Sequence, residues 1–127
     1  MPPGAFKTRT ARQLTLEKEA AVAWFILITA GAFETVWAYY MKLSDGFTRP
    51  GPTVATFAAM AVSIGLLGVA MKSLPLGTAY TVWTGIGALG AFVVGIVMLG
   101  EAVTAMRLVA AALIISGLVL MKVSSPA

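Results

Sequence analysis

One acidic residue, Glu34, lies in the middle of an apolar stretch that runs from Ala21 to Met41. A carboxylate at the centre of a bilayer costs about 2.5–3.5 kcal/mol on insertion scales, so acids at this depth usually mark a path for protons or ions. The chain contains no histidine, and proton exchange near neutral pH would therefore need a carboxyl group. Because burial disfavours the charged form of a carboxyl group, we expect Glu34 to hold either a proton or a cation.

Polar and aromatic side chains at helical spacing accompany Glu34. Residues three or four apart share one face of a helix, which places Gly31 and Trp37 beside Glu34, with Gly31 leaving space for the carboxylate. Two further predicted helices offer Met60 and Ser63, and Tyr80, Trp83, Thr84 and Gly87. Aromatic rings attract desolvated cations by about 0.5–2 kcal/mol, and a carboxylate matches the paired N–H groups of a planar guanidinium. The set predicts a site for a small cation.

Each of these side chains also has a purely structural interpretation. Glu34 could be hydrogen-bonded between helices, and Trp37 could be a packing aromatic. The hydroxyl groups of Ser63 and Thr84 could bond to carbonyls of their own helices. Tyr80 could anchor the chain at the membrane interface.

A glycine motif from Gly85 to Gly90 matches GxGxxG. A dinucleotide site needs a strand before this motif, whereas here it lies inside an apolar helix. We therefore predict that these glycines permit close helix contact or a bend.

The composition is that of an integral membrane protein. The 127 residues are 59% hydrophobic and 11% charged, whereas an average soluble domain is about 25% charged. Four apolar stretches are long enough to cross a bilayer, namely Ala20–Met41, Val54–Met71, Gly77–Leu99 and Ala105–Met121. The sequence predicts an all-α protein with one transmembrane domain over residues 20–124. Cysteine is absent, which excludes disulfides and thiolate metal sites, and the net charge gives no reason to expect nucleic-acid binding.

The first 19 residues differ from the rest of the chain. Met1–Glu19 is polar and basic and lacks the separate apolar core of a signal peptide, so we expect a disordered or interfacial tail.

Because the connections are short, alternate loops face opposite sides of the membrane. The side of both termini holds Lys7, Arg9, Arg12, Lys18, Lys72 and Lys122, and the other side holds Lys42, Arg49 and Arg107. This asymmetry puts both termini in the cytoplasm, but without the tail the charges nearly balance and both orientations become possible.

Four helices are few for a transporter. Alternating-access transporters often place the substrate site between two repeats, and nothing in this chain resembles a second copy. A homodimer would supply the missing half, and two oppositely oriented copies would form an inverted repeat.

Two segments resemble the small multidrug resistance family, most closely its guanidinium exporter subtype. They are AGAFETVWA at Ala30–Ala38 and MKSLPLGTAYTVWTGIGALGA at Met71–Ala91, and the likeness runs from about Ala23 to Ser124. The resemblance implies an antiparallel homodimer in a bacterial-type inner membrane, with both copies of Glu34 facing one central site. Protons and guanidinium-like cations would compete there without a cofactor. Met1–Ala21 lies before the usual family start and is expected to be an added or a misassigned extension.

The resemblance also assigns roles to individual residues. Glu34 would bind protons and substrate in turn, in a site lined by Gly31, Trp37, Met60, Ser63, Tyr80 and Trp83. Ala110 and Gly117 would be small dimer-packing residues of the fourth helix, where the family often has glycine at both positions.

Three other functions stay open, and none of them is enzymatic. Relatives that export bulkier quaternary ammonium or aromatic cations share Glu34, Tyr80 and Trp83. A passive channel for small ions is a second alternative, although channel pores tend to use rings of carbonyls or charges. A non-transporting subunit that pairs with a related chain is the third.

Overall fold

Four α-helices make up the fold in the computed structural model, which describes the backbone of residues 3–125 and the side chains of residues 10–125. The helices are α1 (Pro3–Leu43), α2 (Pro50–Ala70), α3 (Leu76–Leu99) and α4 (Ala105–Ser124). Each contains a segment long and apolar enough to cross a membrane, and residues 3–125 contain no strand. The prediction of an all-α membrane protein with four spans is confirmed.

The first helix is much longer than the predicted span. It begins at Pro3 and continues to Leu43 over 41 residues, or about 60 Å at the rise of a regular helix. Residues 5–30 contain neither glycine nor proline, and the Ala, Arg, Leu, Glu and Lys residues there are good helix formers. The expectation of a disordered tail is therefore wrong for residues 3–19. Their location at the membrane interface stays a prediction.

The other helices begin and end where local chemistry requires it. Pro50 and Pro52 lie in the first turn of α2, where their missing N–H groups cost no helical hydrogen bond. Gly100 ends α3 in the left-handed conformation, with φ of 68°, which glycine adopts without steric cost. The Thr104 side chain then caps α4 by accepting a hydrogen bond from the backbone N–H of Arg107 at 3.2 Å.

The first helix is the centre of the bundle. It packs against α2 and α3, whereas α4 packs mainly against α3 and reaches α1 through Lys122, whose Nζ lies 4.4 Å from the centroid of the Trp24 ring. The buried apolar core consists of Ala23, Trp24, Leu27, Ala30, Leu67, Ala70, Leu74, Ala79, Val82 and Trp83. The fourth helix, described over its whole length, has no buried residue. Most of its large apolar side chains, such as Leu113 at 69% exposure, therefore face lipid or another chain, whereas Leu118 and Met121 pack against the core.

Candidate functional site

The turn of α1 that precedes Glu34 is tied to both neighbouring helices. The Trp83 indole N–H of α3 donates a hydrogen bond to Ser63 Oγ of α2 at 2.9 Å, and the Ser63 hydroxyl donates to the carbonyl of Ala30 at 2.7 Å. Ser63 is fully buried and Trp83 is 9% exposed, so both bonds are shielded from solvent. In a regular helix the Ala30 carbonyl also accepts the backbone N–H of Glu34. The two bonds therefore fix the position from which the Glu34 side chain extends.

The carboxyl group of Glu34 lies against the backbone of α3 at Gly87. A Cβ atom at Gly87 would overlap Glu34 Oε2 and would lie 2.7 Å from Glu34 Cγ, so the observed position of the Glu34 side chain requires a glycine here. Glu34 is partly buried, and its enclosed Oε2 has no hydrogen-bond partner among the described residues. A buried polar atom without a partner costs about 1–3 kcal/mol. The described part of the protomer therefore supplies no hydrogen-bond donor for this oxygen.

The space beside Gly31 is not available to the Glu34 carboxylate, contrary to the prediction from the sequence. A Cβ atom at Gly31 would come within 2.6 Å of Ile86 Cγ2. The space beside Gly31 is thus filled by Ile86, and the expectation that this glycine leaves room for the carboxylate is wrong. Gly87, on the facing helix, leaves that room instead. Periodicity along α1 identified the face of Glu34 but not the residue opposite it.

The glycines of the GxGxxG motif all lie at close helix contacts. Gly85 faces Leu118 of α4, and a Cβ atom at Gly90 would overlap Thr35 Oγ1 of α1. With Gly87 against Glu34, the prediction of close packing is confirmed at all three positions. Thr35 was not singled out from the sequence, although its place next to Glu34 is the signal that could have found it.

The remaining predicted site residues range from partly buried to exposed in the protomer. Trp37 is partly buried and its indole N–H has no partner among the described residues. Met60 is partly buried beside the buried stripe of α2 that includes Ser63. Tyr80 is 53% exposed, and its ring lies 5.5 Å from the Trp83 ring, centroid to centroid. Among the described residues, hydrogen bonds link Ser63 and Trp83 to the turn of Glu34. The lining roles of all these residues stay predictions.

The two small residues predicted at a dimer contact lie on the exposed surface of α4. No atom lies within 4 Å of the place where a Cβ of Gly117 would be, so packing inside the protomer does not require this glycine. Ala110 is exposed and lines a shallow cavity of about 190 Å³ together with Arg107. Both positions are accessible to a second chain, and their role in dimer packing stays a prediction.

A larger cavity of about 410 Å³ begins one helical turn beyond Glu34. Its lining extends from Ala38 of α1 to Glu101 and Arg107, near the loop that joins α3 and α4. The Arg107 guanidinium lies 5.5 Å from the centroid of the Phe92 ring, which holds its charge at the rim of the cavity. The cavity therefore extends from near the level of Glu34 toward the membrane surface.

Comparison with known proteins points to one family. The model of the family Small Multidrug Resistance protein matches residues 22–114. A guanidinium exporter of Escherichia coli (strain K12) is 54% identical over 104 residues, which cover 82% of this chain and 99% of that protein. A guanidinium exporter of Yersinia pestis is 50% identical over 104 residues, which cover 82% of this chain and 100% of that protein. A guanidinium exporter of Salmonella thompson is 49% identical over 104 residues, which cover 82% of this chain and 99% of that protein.

Proposed function

The chain belongs to the small multidrug resistance family, and on this basis we propose that it exports guanidinium and small substituted guanidinium cations in exchange for protons. It is a multi-pass protein of the bacterial inner membrane. The observation that carries the proposal is the Glu34 carboxylate, which lies in a membrane span with one enclosed oxygen that has no partner among the described residues. The names of the relatives supply the substrate class.

The geometry around Glu34 suits a planar cation. A guanidinium group presents paired N–H donors that match the two oxygens of a carboxylate. Hydrogen bonds to charged groups contribute about 1.5–3 kcal/mol. The Trp37 indole N–H is itself a donor and cannot bind a cation by hydrogen bonding, but an indole ring face attracts a desolvated cation. We therefore assign Glu34 as the cation ligand and Trp37 as a wall of the site.

Competition at Glu34 would couple the two fluxes. A protonated carboxyl group carries no charge and cannot pair with guanidinium, so the cation binds only after the proton leaves. An empty, charged carboxylate is costly inside the membrane, which disfavours reorientation of the transporter with nothing bound. Each reorientation would then carry either a proton or a cation, and this alternation amounts to antiport.

A second copy in the opposite orientation would complete the site. One protomer leaves Tyr80 largely exposed and the whole of α4 without a buried residue. An antiparallel partner would cover these surfaces and form the inverted repeat on which alternating access depends. The two Glu34 side chains would then face one central site, with Ala110 and Gly117 in the dimer contact.

Transport by purified protein in proteoliposomes tests the proposal. An imposed pH gradient should drive guanidinium uptake, and a guanidinium gradient should drive protons in the opposite direction. Glu34→Gln should abolish both movements, whereas Asp45→Asn, which changes an exposed acid in the loop after α1, should not.

Four results would contradict the proposal, and each points elsewhere. Guanidinium flux that is not coupled to protons would indicate a channel. The absence of transport by the homomer would indicate a subunit that needs a related partner. Preference for large quaternary ammonium or aromatic cations would indicate the multidrug subtype. Coupled exchange at the normal rate in Glu34→Gln would remove Glu34 from the mechanism.

A further inference from the structure

We propose that the junction between α1 and the end of α2 binds the phosphate headgroup of an anionic membrane lipid. A cavity of about 340 Å³ lies there, lined by residues of both elements. Lys18 of α1 and Lys72, which follows α2, both line it, together with the hydroxyl-bearing residues Thr15 and Ser73. Two ammonium groups and two hydroxyl groups from separate parts of the chain thus share one cavity. The Thr15 hydroxyl already donates to the carbonyl of Ala11 at 3.0 Å, so Lys18, Lys72 and Ser73 are the residues whose side chains can donate to a phosphate diester.

The cavity changes from polar to apolar at the start of the membrane span. The polar residues of α1 in its lining precede Ala20, where the predicted span begins. The apolar part of the lining consists of Val22, Ala23, Ile26 and Val69. Val22 and Val69 are 58% and 46% exposed. A molecule that fits both parts carries an anionic head and a hydrocarbon chain, so the arrangement favours a lipid over a soluble phosphate.

The charge in the cavity favours an anion. Lys18 and Lys72 outnumber the one acid in the lining, Glu19. Basic residues at the membrane surface each contribute about 1 kcal/mol to the binding of anionic lipids. Glu19 opposes this attraction, so removal of its charge should strengthen the binding of anionic lipid, whereas removal of either lysine charge should weaken it.

Part of this site lies outside the segment shared with the family. The family model begins at residue 22, whereas Thr15, Lys18 and Glu19 come before it. The continuous helix of α1 holds these residues beside the end of α2. The inference concerns lipid binding alone and is independent of guanidinium exchange.

The lipid affinity of the purified full chain tests the assignment. It can be measured by native mass spectrometry during titration with palmitoyl-oleoyl phosphatidylglycerol. The wild type should bind this lipid more tightly than the phosphatidylcholine with the same acyl chains. Lys18→Gln and Lys72→Gln should each weaken its binding about fivefold, which corresponds to about 1 kcal/mol, and should leave phosphatidylcholine binding unchanged. Glu19→Gln should strengthen phosphatidylglycerol binding.

Arg12→Gln is the matched control. Arg12 is an exposed cation on the same helix that does not line the cavity, so its removal should change lipid binding little. Equal weakening by Arg12→Gln would show general surface attraction and overturn the site. Unchanged binding in the Lys18 and Lys72 variants would overturn it as well. Displacement of the lipid by equimolar glycerophosphoglycerol, which has no acyl chains, would indicate a soluble phosphate site and overturn the lipid assignment.

Discussion

The contact between Glu34 and the backbone at Gly87 can be broken by one methyl group. In Gly87→Ala the new Cβ atom would overlap the carboxyl end of Glu34 and lie 2.7 Å from its Cγ. To reach 3.4 Å, where ordinary contact begins, Cγ must move by about 0.7 Å, and the overlapped carboxyl atoms must move further. Because Glu34 ends in a flexible side chain, the side chain should move rather than the helix backbone.

Gly87→Ala should lower the affinity for guanidinium much more than it lowers the stability of the fold. A displaced carboxylate that no longer makes its charge-assisted hydrogen bond loses about 1.5–3 kcal/mol, which weakens guanidinium binding about 10- to 150-fold. Added core volume costs about 1–3 kcal/mol, and alanine regains about 1 kcal/mol over glycine in a helix. The net cost to folding is therefore about 0–2 kcal/mol, and the variant should remain folded.

Isothermal titration of guanidinium into purified Gly87→Ala measures this loss. Gly77→Ala is the matched control, because Gly77 lies on the same helix and no atom stands within 4 Å of its missing Cβ. Adding Glu34→Asp to Gly87→Ala shortens the acid by one methylene group and should recover part of the affinity. A folded Gly87→Ala variant that binds guanidinium as tightly as wild type would refute the assigned position of the carboxylate.

Other close contacts give three predictions about stability, each measured by unfolding in detergent. Ser63→Ala should destabilise the protein by about 1–3 kcal/mol, because it removes two buried hydrogen bonds, one from the Trp83 indole N–H and one to the Ala30 carbonyl. A double-mutant cycle with Trp83→Phe isolates the first bond and should give a coupling of about 0.6 kcal/mol, and additive effects would contradict that bond. Gly31→Ala should destabilise by about 1–3 kcal/mol through overlap with Ile86, and Ile86→Ala should relieve that loss in the double variant. Gly100→Ala should cost about 1–2 kcal/mol, because its φ of 68° places a Cβ against the carbonyl, and an unchanged midpoint would contradict this.

The general architecture could be predicted from the sequence because a bilayer imposes a strong length requirement. All four predicted spans lie within observed helices to within a residue, and α3 and α4 begin within one residue of their predicted starts. The early start of α2 at Pro50 shows the limit of hydropathy, since a helix can begin in polar loop sequence before its apolar part. The helix over residues 3–19 was missed for the same reason, although the absence of glycine and proline in residues 5–30 was an available signal.

The site was harder to predict than the fold. Helical periodicity shows which residues share a face, but it does not show which residue of another helix stands opposite. For this reason the sequence predicted that Glu34 lies within a membrane span, but it assigned to Gly31 the space beside the carboxylate that Gly87 leaves. The hydrogen bond from Trp83 to Ser63 depends on the rotation of two helices relative to each other, and this rotation is not encoded in the pattern of either one.

The central claim is that protons and guanidinium compete for Glu34, and guanidinium affinity measured as a function of pH tests it most directly. With one shared carboxylate, lowering the pH should weaken binding, by up to about tenfold per pH unit once Glu34 is mostly protonated. Glu34→Gln should bind weakly and show no such slope. Wild-type affinity that stays constant between about pH 6 and 9, or a Glu34→Gln variant with the wild-type slope, would contradict the account.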